Sequence, residues 1–163
     1  MKKKYLDKVN LEDLCGGIIA DSADRLEIPF FRIPHVSLAN PQNKILGSVR
    51  TMQVEEGLFP DENLEAGLKF LTSLNSGEVL LVNGSSNFAY FGEMMGRLSE
   101  RQGLGGAIIN GASRDSAFFR GSSFPFASAT FNPIDIKGRG RIGSFDAQLT
   151  TSAGYVRPGD LVY

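Results

Sequence analysis

The chain of 163 residues has a single cysteine, a single histidine and no long apolar run. One thiol, Cys15, excludes an internal disulfide and fits a reducing cytoplasm, the location expected for this protein. Its place beside Gly16-Gly17 in an apolar helical pattern predicts a buried structural thiol. A lone histidine, His35, cannot build a multi-histidine metal centre and has no clear serine or cysteine partner, so it reads as structural. No stretch approaches the roughly 20 apolar residues of a membrane helix. Met1-Lys2-Lys3-Lys4 has the charge of a secretory n-region, but charges between Tyr5 and Asp13 occupy the place of the h-region. With 17 basic and 18 acidic residues the net charge is −1. No basic stripe is present, which argues against direct nucleic-acid binding. Repeats, heptads and low-complexity segments are also missing. What remains is one domain, 42% hydrophobic and long enough for a real core.

The most informative stretch runs from Gly77 to Arg120. Val79 to Val82 is a short apolar, partly β-branched run closed by Asn83-Gly84, as a buried parallel strand would be. Phe91, Met94, Met95 and Leu98 fall at helical spacing, and Gly103 closes that helix. Gly106 to Ile109 is a second buried strand, ended by Asn110-Gly111. A helix running back along such a sheet starts at the edge where both strands end. The amides of Gly92, Glu93, Met94 and Met95 therefore open towards Arg114 and Asp115, in the crevice where open α/β sheets hold ligands. Free amides of a first turn favour an anion. Arg114 can grip a carboxylate or phosphate bidentately, and Asp115 is a hard oxygen ligand suited to Mg²⁺. Met94 and Met95 read as core fillers and amide donors. An Arg-Asp pair after a strand is by itself ordinary turn chemistry. Convergence with a glycine-lined helix start turns it into a candidate site for a small anionic ligand, with or without a metal.

Elsewhere the elements are conventional. Leu11 to Leu26 predicts an amphipathic helix capped by Asn10, with Asp21 and Asp24 on its solvated face. Pro29 to Pro41 is irregular. Ile45 to Met52 is a strand candidate, Glu55 to Asp61 a turn, and Asp61 to about Leu74 a helix. Phe118-Phe119 begin a helical turn, and Phe124 to Ala127 enters another strand. Lys137-Gly138-Arg139-Gly140-Arg141 is the one basic cluster, either an anion-binding loop or a solvated turn. Arg157 to Asp160 turns the chain into Leu161-Val162-Tyr163.

Gly92-Glu93, twenty intervening residues and Arg114-Asp115 resemble the D-x20-R-D pattern of the 4-hydroxy-4-methyl-2-oxoglutarate aldolase family. That family also contains the regulator of ribonuclease E activity A (RraA-like proteins). F-G-E-M-M-G-R-L, G-G-A-I-I-N-G-A-S-R-D, D-I-K-G-R-G, R-P-G-D-L-V and the opening L-C-G-G-I-I-A-D-S-A-D-R-L resemble family blocks in family order. The resemblance implies an α/β fold, a single layered β/β/α swivelling-type domain over residues 1–163. It also implies a homotrimer, or a hexamer of two trimers, with sites between subunits. The implied activity is that of a divalent-metal-dependent (class II) pyruvate aldolase, a carbon–carbon lyase with oxaloacetate decarboxylase activity, acting on small 4-hydroxy-2-oxo acids. By resemblance, Asp115 would hold Mg²⁺ or Mn²⁺, and the amides of Gly92, Glu93, Met94 and Met95 would receive the substrate carboxylate. Arg114 would bind substrate and stabilise the enolate, and Glu93 would orient water for proton transfer.

Two departures bear on that expectation. Glu93 stands where the aldolase pattern has Asp, one methylene longer. The sequence also stops at Tyr163, where family members continue into another apolar strand. The expected domain therefore lacks its last C-terminal strand and the later carboxylate that a neighbouring subunit contributes. Both departures favour the competing reading, a non-catalytic RraA-like regulator that binds ribonuclease E or another protein. A third reading keeps the crevice for a sugar or organic acid without chemistry. The Arg114-Asp115 pair favours the enzyme, because a regulator has no chemical need for Asp115.

Overall fold

A computed structural model describes residues 13–163. Among the described residues there are four helices: α1 (Gly16–Arg25), α2 (Leu64–Ser73), α3 (Glu93–Arg101) and α4 (Ser116–Gly121). The strands are β1 (Ser37–Leu38), β2 (Gly47–Glu56), β3 (Glu78–Asn83), β4 (Ala89–Phe91) and β5 (Gly106–Ser113). They continue with β6 (Phe126–Phe131), β7 (Gly140–Phe145), β8 (Leu149–Thr150), β9 (Tyr155–Val156) and β10 (Leu161–Val162). Eight strands form one mixed sheet in the order β1-β6-β5-β3-β2-β10, with β4 pairing β5 and β7 pairing β2. β2, β3, β5 and β6 run parallel at its centre. β8 and β9 form a separate antiparallel hairpin.

Successive strand residues point to opposite faces, and here each face meets a different layer. Val79, Leu81, Ile108 and Ala127 pack with Leu149 and Val156 of the β8–β9 hairpin. Leu80, Val82, Ala107, Ile109 and Phe126 pack against Phe70, Leu71, Met95 and Phe119 from α2, α3 and α4. The result is hairpin, sheet and helices, the β/β/α layering expected. Central strands buried on both faces explain why their sequences read as continuous apolar runs rather than alternating ones.

Several local expectations shift. The first helix begins at Gly16 and buries only Ala23; Asn10, Leu11 and Lys2 to Lys4 lie outside the described residues. Cys15 is exposed at the N-cap of α1 instead of buried. The physical reason is that α1 contributes no residue to either core cluster, and its Ile18 is 51% exposed. Asp21 and Asp24 are solvated, as expected. Phe91 belongs to β4, a strand absent from the sequence reading, and Met94 is exposed while Met95 is buried. β2 runs through Glu56, so the expected turn at Glu55 starts later.

Tyr90 of β4 carries the one unpaired phenol among the described buried groups. Its hydroxyl lies against Gly67 of α2, where a Cβ would collide with it. Burial pushes its pKa up. A desolvated, unpaired polar group is a net cost. Tyr90→Phe is therefore expected to stabilise the fold by about 1 kcal/mol, read from urea midpoints at fixed protein concentration. Destabilisation would mean that the hydroxyl has a partner.

Candidate functional site

The site is built where β4 and β5 end together. Ser113 Oγ and the Arg114 amide both donate to the Phe91 carbonyl, at 2.7 and 3.0 Å. That double clamp sets the first turn of α3 beside the β5–α4 turn. Asp115 adopts left-handed backbone angles (φ 61°, ψ 44°) as N-cap of α4, a conformation that Asp tolerates better than most residues. From there Asp115 Oδ2 accepts the Glu93 amide at 2.8 Å. The carboxylate thus caps the neighbouring helix, one of the favourable places for negative charge. Gly92 explains itself at this contact. A Cβ there would come within 2.5 Å of Asp115 Oδ2 and within 3.0 Å of Arg114 Nε.

Arg114 and Asp115 line a cavity of about 360 Å³ together with Ser116, Phe131, Asn132 and Pro133. Arg114 Nη1 pairs with Asp135 Oδ2 at 2.6 Å, and its Nε stands 3.7 Å from Asp115 Oδ2. Both side chains of the Arg114–Asp115 pair are about 40% exposed, so ligand can reach them. Glu93 is turned along the helix surface, where Arg97 Nε donates to its Oε1 at 2.8 Å. Met94 and Met95 follow in the first turn, whose amides have no intrahelical acceptor.

Six expected residues therefore converge at one edge: Gly92, Glu93, Met94 and Met95 by their backbone, Arg114 and Asp115 by their side chains. The Glu93 amide is already used by Asp115, and the Glu93 carboxylate by Arg97. That second pairing was legible as an i,i+4 acid–base spacing. Asp135, the first residue of D-I-K-G-R-G, has no local pattern that points to Arg114. Asn132, Phe131 and Ser116 also join the cavity wall without a sequence signal beyond their nearness to Arg114. The basic cluster resolves towards a turn. Arg139 Nη1 donates to the Asp135 and Lys137 carbonyls, the Gly138 amide donates to Glu62, and Arg141 pairs with Glu55 over the Phe59 ring. His35 is exposed with a left-handed φ of 65° and lines a separate opening with Ser86, Asn110 and Thr130.

Among the described residues no three acidic, histidine or cysteine side chains converge on a cation. Asp115 is the one carboxylate among the residues that line the cavity. Its Oδ1 has no hydrogen-bond partner among the described contacts, since the Glu93 amide takes Oδ2. One hard oxygen in an open, water-accessible cavity fits a largely hydrated Mg²⁺ or Mn²⁺ and not a dehydrated cage.

Comparison with known proteins places the chain in a family. The family model described as RraA-like, Aldolase/RraA, matches residues 14–163. A Halalkalibacterium halodurans protein with the provisional name 4-hydroxy-4-methyl-2-oxoglutarate aldolase is 28% identical over 126 residues, 76% of this chain. The match spans only 57% of that protein's length. A Cupriavidus necator protein with the same provisional name is 27% identical over 156 residues, 93% of this chain and 87% of its own. Among solved structures, Streptomyces coelicolor RraAS2 is described as an unusual member of the RNase ES inhibitor RraA protein family. It matches with a TM-score of 0.77 at 23% identity, over 93% of this chain and 76% of that one. At that identity the likeness speaks for the fold.

Proposed function

The chain belongs to the RraA-like family, and from that premise we propose that it is a divalent-metal-dependent class II aldolase. Its substrates would be small 4-hydroxy-2-oxo acids such as 4-hydroxy-4-methyl-2-oxoglutarate, with oxaloacetate decarboxylation as a second activity. The observation that carries this reading is Arg114 and Asp115 side by side on one cavity, with Asp115 also capping the first turn of α3.

Asp115 Oδ1 would hold Mg²⁺ or Mn²⁺. When bound, the cation supplies positive charge that polarises the substrate's keto group. The first-turn amides of α3 that Asp115 leaves free would receive the substrate carboxylate, with the helix dipole favouring it. Arg114 would meet the negative charge that grows on the keto oxygen as the carbon–carbon bond breaks and the pyruvate enolate forms. A fixed donor at that point lowers the barrier as an oxyanion hole does. Glu93 would orient the water for the proton transfer that ends the reaction once its carboxylate leaves Arg97. That exposed i,i+4 pair is worth only about 0.3–0.5 kcal/mol, so the rearrangement costs little. The wider reading includes a trimer or hexamer. Ile18, Leu26, Ile28, Phe30 and Phe31 leave apolar surface on the chain that a neighbouring copy would cover.

The competing reading is a regulator that binds ribonuclease E. The Glu93–Arg97 pairing, and Asp115 as the one carboxylate lining the cavity, favour it. Asp115→Asn separates the two. Asn keeps an oxygen for the Glu93 amide but removes the charge. Mn²⁺ affinity is expected to fall by at least about 10–100-fold, the cost of losing even an outer partner of a metal. Pyruvate release from oxaloacetate should fall with it. Equal Mn²⁺ affinity in both proteins would remove Asp115 from the site.

A further inference from the structure

The Arg114 guanidinium is shared between two carboxylates, and the sharing is unequal. Asp135 Oδ2 holds Nη1 at 2.6 Å, whereas Asp115 Oδ2 stands 3.7 Å from Nε. An exposed ion pair alone would carry little meaning. Asp135, however, is held by contacts that do not involve Arg114. Its Oδ1 accepts the Lys137 amide at 2.9 Å, closing an Asx turn. Its backbone is stitched to β4 by a parallel bridge to Ala89, with the Ala89 amide donating to Ile134 and the Ile136 amide to Ala89. β4 in turn ends at Phe91, whose carbonyl receives the Arg114 amide. Backbone and side chain of Arg114 are therefore referenced to the same strand.

We propose that Asp135 is the positioning residue for Arg114. It draws the guanidinium away from Asp115, so that Asp115 keeps an oxygen for a cation and Arg114 keeps Nη2, unpaired among the described contacts, for an oxyanion. Without Asp135 the nearest carboxylate to Arg114 is Asp115. The two would close into a bidentate pair, the strongest geometry open to them. One contact would then consume both functional groups. This inference rests on the proposed function for its catalytic consequence, but the geometry it claims can be read independently.

Asp135 has two jobs that substitutions separate. Asp135→Asn keeps the oxygen of the Asx turn and loses the charge on Arg114, whereas Asp135→Ala loses both. Asp135→Glu restores the charge at longer reach. Full-length wild type and the three variants would be compared by melting temperature, Mn²⁺ affinity from water-proton relaxation, and kcat and KM for oxaloacetate. The nitrogen NMR signals of the Arg114 guanidinium, assigned with Arg114→Lys, report its pairing directly. Asp135→Asn should melt like wild type, show altered Arg114 signals, and lose about 10–100-fold in Mn²⁺ affinity and in kcat. KM should change less, and Asp135→Glu should recover part of the loss. If Asp135→Asn retains wild-type Mn²⁺ affinity and Arg114 signals while Asp135→Ala alone is impaired, Asp135 only shapes the turn and the proposal is overturned. Wild-type behaviour of all three variants overturns it equally. Should the wild type release no pyruvate, the aldolase reading falls, and the Arg114 signals and Mn²⁺ titration still decide the positioning.

Discussion

Arg114→Lys is expected to lower kcat for oxaloacetate decarboxylation by roughly 10²–10³-fold, the cost of removing one charge-stabilising donor from an oxyanion site. Lysine keeps the positive charge, so the size of the loss tests geometry and not charge. The guanidinium spans Asp135 at 2.6 Å and Asp115 at 3.7 Å while still offering Nη2 to a ligand. A single ammonium cannot hold those directions at once, and its four-carbon stem is free to follow the nearest carboxylate. Arg114→Ala should be no better than lysine. An interaction stronger in the transition state than in the ground state appears mainly in kcat. The assay is pyruvate release at saturating Mg²⁺. If the wild type is active and both variants change only KM, Arg114 binds substrate without acting on the enolate, and the mechanism is wrong. The fold should survive either change, because the Arg114 contact that joins β5 to β4 is made by its backbone amide.

Phe119→Ala is expected to cost about 3–5 kcal/mol of stability, the range for emptying a buried aromatic site. Phe119 is fully buried, its ring 3.7 Å from that of Phe126 and 6.2 Å from that of Phe91, centroid to centroid. It also meets Gly96 of α3 so closely that a Cβ there would lie 2.8 Å from its ring. Phe119 therefore fixes the spacing of α3 and α4 at the level where Asp115 caps the Glu93 amide. Part of the damage should reach the site: Mn²⁺ affinity should fall even well below the melting temperature. Urea unfolding at fixed protein concentration measures the main effect, and Phe119→Leu should lose less by filling part of the space. A loss under about 1 kcal/mol in the alanine variant would show that the site collapses around the gap without needing the aromatic stack.

The site's parts were legible unevenly, for reasons that differ by residue. Arg114 and Asp115 stood out because two polar residues follow an apolar strand, and strand ends are where side chains leave the core. Met95 fell on the buried face of its helix, but Met94 did not, because the helix starts at Glu93 and not at Phe91. The two-residue offset came from β4, whose three residues are too few to show a period. The Glu93–Arg97 pair was written in the spacing and overlooked. Asp135 was not legible at all: it lies 21 positions from its partner, beyond any local rule.

By itself the sequence determined the parallel centre of the sheet and the edge where the candidate site lies, while the layering came from the family resemblance. β-branched and apolar runs at Val79–Val82 and Gly106–Ile109 can bury both faces only at the centre of a parallel sheet, and the polar residues after them must then gather at one edge. Only the tertiary structure decided which groups at that edge touch. The Ala89–Asp135 bridge brings a distant carboxylate onto Arg114, and the Phe91 carbonyl aligns α3 with Asp115. The exposure of Cys15 was settled in the same way, by α1 finding no place on either core. Periodicity records which face of an element is apolar. What that face meets depends on contacts between elements far apart in the chain, and there the energy of packing outweighs any local preference.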